Sequence, residues 1–186
     1  MADTPILRAA TPSDMPALAD TFISGVNLSI PGRKLGEEFY ALERDIAPGE
    51  PGVSDPGKLW TRFQEQFEKE HIWLAETDGR VVGYISWYDP TWSEEAGHKP
   101  GEITYLFVHP SFHGRGIGKK LLSHAKQHVE AGVNDLTGEA LLEVRCFVKN
   151  PAGLKLYERG GFVRKHGADE FHERVGEYLA LLVWSK

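Results

Sequence analysis

Glu102-Ile103-Thr104-Tyr105-Leu106-Phe107-Val108-His109-Pro110-Ser111-Phe112-His113-Gly114-Arg115-Gly116-Ile117-Gly118-Lys119-Lys120 runs from a strand through a glycine-rich turn into a helix. Residues 102–109, rich in β-branched and aromatic side chains, read as a central strand, and Pro110, with no N–H to donate, stops it. Ile117, Leu121, Leu122, Ala125 and Val129 then recur at helical spacing through about Ala131. Between the two, glycines at 114, 116 and 118 let a ligand approach the backbone with no Cβ in the way. Backbone N–H groups and a helix N-terminus converge there, and Arg115, Lys119 and Lys120 add positive charge. The turn is an anion cradle that a pyrophosphate would fit. A Walker loop needs Gly-Lys-Ser/Thr after a four-residue gap, and the dinucleotide fingerprint needs its third glycine in a strand-helix-strand unit near a chain start; neither pattern is met.

Upstream, His71 to Glu76 and Arg80 to Tyr88 are strand-like and joined by Asp78-Gly79, which suits a tight antiparallel hairpin. A polar loop, Asp89 to Gly101, leads to the central strand. Leu59, Trp60, Phe63 and Phe67 have helical spacing, which marks core before it marks a binding wall. Pro31 to Pro56 is rich in Gly and Pro, with a short helix expected from Leu35 to Ile46. The chain opens with a strand at Ile6 to Arg8 and a helix carrying Leu18, Phe22 and Val26, capped by Ser13 or Asp14. Downstream, Leu142, Val144, Cys146 and Val148 alternate with Glu143 and Arg145, which places Cys146 on the aliphatic face as buried filler. Asn150-Pro151 opens a helix that Gly160-Gly161 ends, and Phe162 to Lys165 and Glu177 to Trp184 form closing strands.

The chain has 186 residues, of which 41% are hydrophobic, enough to bury one core, so residues 1–186 are expected to form a single domain of mixed α/β (α+β) class. No stretch approaches the roughly 20 apolar residues that span a bilayer. Met1 to Leu7 lacks the basic region and apolar run of a secretory signal, so a cytoplasmic protein is expected. A net charge of −6 argues against a phosphate-tracking surface for nucleic acid and favours cationic partners. The one cysteine excludes an internal disulfide and a cysteine metal cluster, and no metal is expected.

Residues 113–118 resemble the pyrophosphate arm of the GNAT superfamily, [QR]-x-x-G-x-[GA] after the fourth strand, with His113 where that family has Gln or Arg. Val148-Lys149-Asn150-Pro151-Ala152-Gly153-Leu154-Lys155-Leu156-Tyr157-Glu158-Arg159-Gly160-Gly161-Phe162 is similar to the family's N-x-x-A-x-x-L-Y-x-x-x-G-F, with Gly153 in place of Ala. With strands and helices in family order, the resemblance covers nearly the whole chain. It implies the GNAT acyl-CoA N-acyltransferase fold: a mixed, mostly antiparallel sheet of about seven strands flanked by about four helices, with strands 4 and 5 splayed.

The resemblance further implies that acetyl-CoA lies in that splay. Backbone around Leu106, Phe107 and Val108 would act as its strand partner and steady the oxyanion. His113, Gly114, Arg115, Gly116, Ile117, Gly118 and Lys119 would hold the pyrophosphate, and Asn150 and Tyr157 would close from the other side. Tyr157 is placed by the motif to protonate the leaving thiolate. An amine like that of Lys is mostly ammonium at pH 7, a cost of about 4.6 kcal/mol to the reactive form, so a base is needed. Glu102 lies eleven residues before His113 (113 minus 102), the offset at which histone-type members carry their base. The other reading of Glu102 is a solvated strand-end carboxylate; His109 and His98 are reserve bases.

The implied activity is transfer of acetyl from acetyl-CoA to a primary amine of a small molecule by direct attack in a ternary complex. Trp87, Tyr88 and Trp92 beside Asp89, Glu94, Glu95 and Glu102 would suit a cationic acceptor: a polyamine, an amino sugar or an amino-acid-like amine. The alternatives are acetylation of a protein lysine or N-terminus, or a catalytically silent acetyl-CoA-binding regulatory module. An unpaired edge strand near Tyr178 to Val183 could support a homodimer.

Overall fold

A computed structural model describes residues 5–36, 58–95, 97–132 and 140–186. In chain order these form β1 (Ile6–Ala9), α1 (Met15–Val26), α2 (Lys58–Lys69), β2 (His71–Thr77), β3 (Arg80–Trp87), β4 (Thr91–Ser93), β5 (Gly97–Lys99) and β6 (Gly101–Val108). Then follow α3 (Ile117–Gly132), β7 (Ala140–Phe147), α4 (Pro151–Arg159), β8 (Val163–Arg164), β9 (Glu170–His172) and β10 (Glu177–Ser185). Short 3-10 turns at Pro12–Asp14 and Pro110–Phe112 precede α1 and follow β6. Of the helix expected from Leu35 to Ile46, Leu35 and Gly36 are helical and the rest lies outside the described residues.

Among the described residues the main sheet has eight strands in the order β1-β2-β3-β6-β7-β10-β8, with β9 also on β10. Every pairing is antiparallel except β6 with β7. The β2–β3 hairpin turns at Asp78 and Gly79, both at positive φ, as a two-residue turn that matches strand twist requires. Alternation along β2 sends Ile72 and Leu74 to one face, where they pack with Leu18, Phe22 and Ile23 of α1 and Phe63 of α2. On the other face Ala75, Ile85 and Trp87 pack under Ile117, Leu121, Ala125 and Val129 of α3 and Tyr157 of α4. The helical spacing of Phe63 thus marks core.

Two expectations are corrected. Residues 89–101 are not a plain loop: Thr91, Trp92 and Ser93 pair with Lys99, His98 and Gly97 in a separate two-stranded sheet, with Gly97 at positive φ opening β5. Nor is β10 an unpaired edge. It pairs with β7 on one side and with β8 and β9 on the other. The covering strands, two and three residues long, are too short for alternation to reveal them in the sequence.

Candidate active site

Strands β6 and β7 run parallel and are paired only at Gly101↔Leu142, Glu102↔Glu143 and Ile103↔Val144. Beyond that point β6 stays with β3 as far as Val108, while β7 follows β10 as far as Phe147. The two strands therefore diverge, and the backbone of Thr104 to Val108 has no strand on its β7 side among the described residues. Backbone polar groups left without a ladder call for another partner.

Two connected cavities fill the opening. One, about 350 Å³, is lined by Leu106, Phe107, Val108, His113, Gly114, Gly118 and Asn150. The other, about 480 Å³, extends past Leu106 and Phe107 to Glu102, Thr104, Arg145, Cys146 and Tyr157. Leu106, Phe107, Asn150, Gly153 and Leu156 line both, so one groove runs from the glycine turn to Glu102.

At the turn, Gly114 and Gly116 both have φ of 75°, a conformation that any side chain would strain. Gly116 O accepts the first helical hydrogen bond from Lys120 N at 3.1 Å, which leaves the N–H groups at the start of α3 without intrahelical partners. His113 Nε2 donates to Val108 O at 2.7 Å and so ties the turn to the end of β6. Other expected ligands are turned away. The Ile117 side chain is core. Arg115 lies 4.8 Å over the Phe112 ring, and Gly116 and Lys119 line a separate hollow with Leu7 and His124. Arg115, Gly116, Ile117 and Lys119 line neither of the two cavities.

Asn150 caps α4: its Oδ1 accepts from Gly153 N at 2.9 Å. A Cβ at Gly153 would stand 2.7 Å from Asn150 Nδ2 and 2.9 Å from Cys146 Sγ. This explains the departure from Ala, because the Asn150 amide and the Cys146 thiol together take the room a methyl would need. Gly153→Ala should lower stability by about 1–3 kcal/mol through overpacking. Adding Cys146→Ala should recover part of that loss in a urea-unfolding cycle; additive effects would remove Cys146 as the obstacle.

Tyr157 is buried, meets Phe162 edge-on at 5.7 Å, and lines the larger cavity. Burial, with Cys146 adding to it, pushes the phenol far above its ordinary value, so it stays protonated. The same burial pushes the Cys146 thiol up to about 12.

Glu102 Oε1 accepts from Arg145 Nη1 at 3.1 Å. The same guanidinium reaches Glu143 at 3.0 Å and Glu170 at 3.1 Å, so one cation serves three carboxylates. Contacts to these carboxylates, Glu170 first, raise its pKa and hold it charged. Alternation on β7 showed Arg145 as a strand residue but not this cluster, whose members come from β6, β7 and β9. Thr104 was likewise missed. It lines the cavity and donates to the Glu70 carboxylate, while its oxygen lies 2.7 Å from Ser86 Oγ.

Among the described residues of 87–102, Glu102 alone lines either cavity. Trp87 is fully buried, Trp92 is exposed on β4, and Asp89 Oδ2 accepts from His71 at 2.7 Å. His109 Nδ1 accepts from Ser111 N as a turn cap, and neither it nor His98 lines the groove.

Residues 37–162 match the acetyltransferase (GNAT) family. The chain is 39% identical over 97 residues to an N-acetyltransferase of Archaeoglobus fulgidus, a match covering 52% of this chain and 58% of that one. It is 27% identical over 110 residues to the L-amino acid N-acyltransferase MnaT of Escherichia coli, covering 59% and 60% of the two chains. The chain therefore spans little more than half the length of these relatives. In fold it matches the PaiA N-acetyltransferase of Thermoplasma acidophilum, solved in complex with coenzyme A, with a TM-score of 0.67, 14% identity, and coverage of 98% of this chain and 100% of that one. No described helix is long and apolar enough to cross a membrane. By its diverging central strands and by the match over residues 37–162, this chain belongs to the GNAT acetyltransferase family.

Proposed function

We propose that the chain transfers acetyl from acetyl-CoA to a primary amine of a small molecule, by direct attack within a ternary complex. The observation that carries this reading is the groove between β6 and β7, which runs from an anion cradle at one end to Glu102 and Tyr157 at the other. Acetyl-CoA supplies the acetyl group as a thioester. The N–H groups at the start of α3 and the Gly114 and Gly116 backbone bind the pyrophosphate. Backbone of Leu106 to Val108 pairs with the pantetheine arm and polarises the carbonyl, and the Asn150 amide holds the arm from the opposite wall.

Glu102 takes the proton that leaves the ammonium nitrogen. Arg145 is shared among Glu102, Glu143 and Glu170, so Glu102 is not matched one-to-one by a cation, and its carboxylate on the cavity wall can draw the ammonium of an acceptor. Tyr157 gives its proton to the sulfur as the C–S bond breaks. The burial that keeps the phenol neutral also disfavours a thiolate in the same place, so the sulfur needs that proton most where Tyr157 stands. A cavity of about 480 Å³ is the size of a small-ligand site. Arg174 on its wall would face the carboxylate of an amino-acid-like amine, one class to test alongside polyamines and amino sugars.

Cys146, the one cysteine of the sequence, also lines the cavity and could carry the acetyl group as a thioester. With its pKa pushed up to about 12, only about one molecule in 10⁵ is thiolate at pH 7, which favours direct attack. Cys146→Ala should therefore retain activity within a few-fold; abolished turnover with intact acetyl-CoA binding would point to an acyl-enzyme. The activity itself is tested by acetyl-CoA-dependent thiol release against polyamines, amino sugars, amino acids and a lysine peptide. Turnover of one small amine class supports the proposal, turnover of the peptide alone redirects it to a protein acceptor, and binding without turnover redirects it to a sensor.

A further inference from the structure

His71 at the start of β2, Asp89 just past β3, and His128 on α3 are far apart in sequence and meet at the surface on the α3 side of the sheet. His71 Nε2 lies 2.7 Å from Asp89 Oδ2, and His128 Nε2 lies 3.8 Å from Asp89 Oδ1. The three ligand atoms all lie within 4.8 Å of one another. A tetrahedral ion with bonds of about 2.0–2.2 Å holds its ligand atoms about 3.3 Å apart. The close pair would open slightly and the wider pair would close, by rotations of partly exposed side chains.

Both imidazoles rest on one rigid wall. The His71 ring stacks on the fully buried Trp87 at 5.1 Å, and His128 meets the same indole edge-on at 5.4 Å. Their own rings are 4.4 Å apart. This buried tryptophan therefore limits the rotations of both rings before any ion binds, which reduces the ordering cost of binding. The two His side chains are 38% exposed and Asp89 47%, enough for an ion to enter and keep water at a fourth position. His124, one turn earlier on α3, is packed 3.9 Å from the Trp73 ring and stands outside the trio.

We propose that His71, Asp89 and His128 form a binding site for Zn²⁺, which pins the start of β2 and the end of β3 to α3. Two imidazoles and one carboxylate match zinc and its first-row neighbours, whereas Mg²⁺ and Ca²⁺ require oxygen donors. The lack of a cysteine cluster bears only on thiolate sites. None of the three residues lines the groove, so the inference stands apart from acetyl transfer.

The test uses the untagged, chelator-treated full chain, titrated with Zn²⁺ by calorimetry and with Co²⁺ by visible absorption. The expected result is one ion per chain and the absorption of four-coordinate Co²⁺. His71→Phe and His128→Phe keep a ring against Trp87 but remove the ligand nitrogen, and each should weaken binding about tenfold or more. Asp89→Asn, at an exposed position, gives a third reading if a ring variant melts early. No saturable binding by the unmodified chain, or binding unchanged in all three variants, would overturn the proposal.

Discussion

Tyr157→Phe is expected to lower kcat by about 10²-fold, the scale of losing one well-placed acid, while acetyl-CoA affinity changes little. The substitution removes one oxygen and keeps the ring, which is buried and held edge-on to Phe162. Packing in the core under α3 and α4 should therefore survive, and any loss reports on the hydroxyl. Because burial raises the phenol pKa, the proton-donating form persists through the ordinary tyrosine range. Loss of that form would set in only as pH rises through the raised value, so no alkaline fall in rate below about pH 10 should trace to Tyr157. Steady-state kinetics with calorimetric acetyl-CoA binding make the check, and unchanged kcat would remove Tyr157 from the mechanism.

Glu102→Gln should lower kcat/KM near neutrality by about 10²-fold and lose most of that deficit as pH approaches about 10, where a lysine-like amine is deprotonated without help. The amide keeps the size of the carboxylate. Arg145 also retains Glu143 and Glu170, so the guanidinium is not stranded by the change. A pH profile of both proteins decides the matter: a deficit that stays constant with pH means that Glu102 positions Arg145 and takes no proton.

The glycine turn shows how much of the groove was legible beforehand. Gly114 and Gly116 sit at positive φ between β6 and α3, as their spacing after a strand and before a helix required. The Asn150 cap and the Asp78-Gly79 turn were equally readable. The aromatic and acidic residues after β3 were not. Trp87 belongs to the run read as a cation-binding wall and is core, because strand alternation turns it under α3, while among the described residues of 87–102 Glu102 alone lines the cavity. Short partners also escaped notice: β8 and β9 cover β10, which from its own sequence looks like an open edge.

Neighbours along the chain specify the glycine turn, the Asp78-Gly79 hairpin, the cap of α4 and, through the two motifs, the family. Each rests on the sterics or hydrogen bonding of a few consecutive residues, which sequence spacing specifies. Contacts between distant segments set where β6 and β7 part, that Arg145 joins Glu102, Glu143 and Glu170, that Cys146 shares the cavity with Tyr157, and that His71, Asp89 and His128 converge. Those contacts depend on strand order and register across the whole sheet, and a one-residue slip on any strand would turn its side chains to the opposite face.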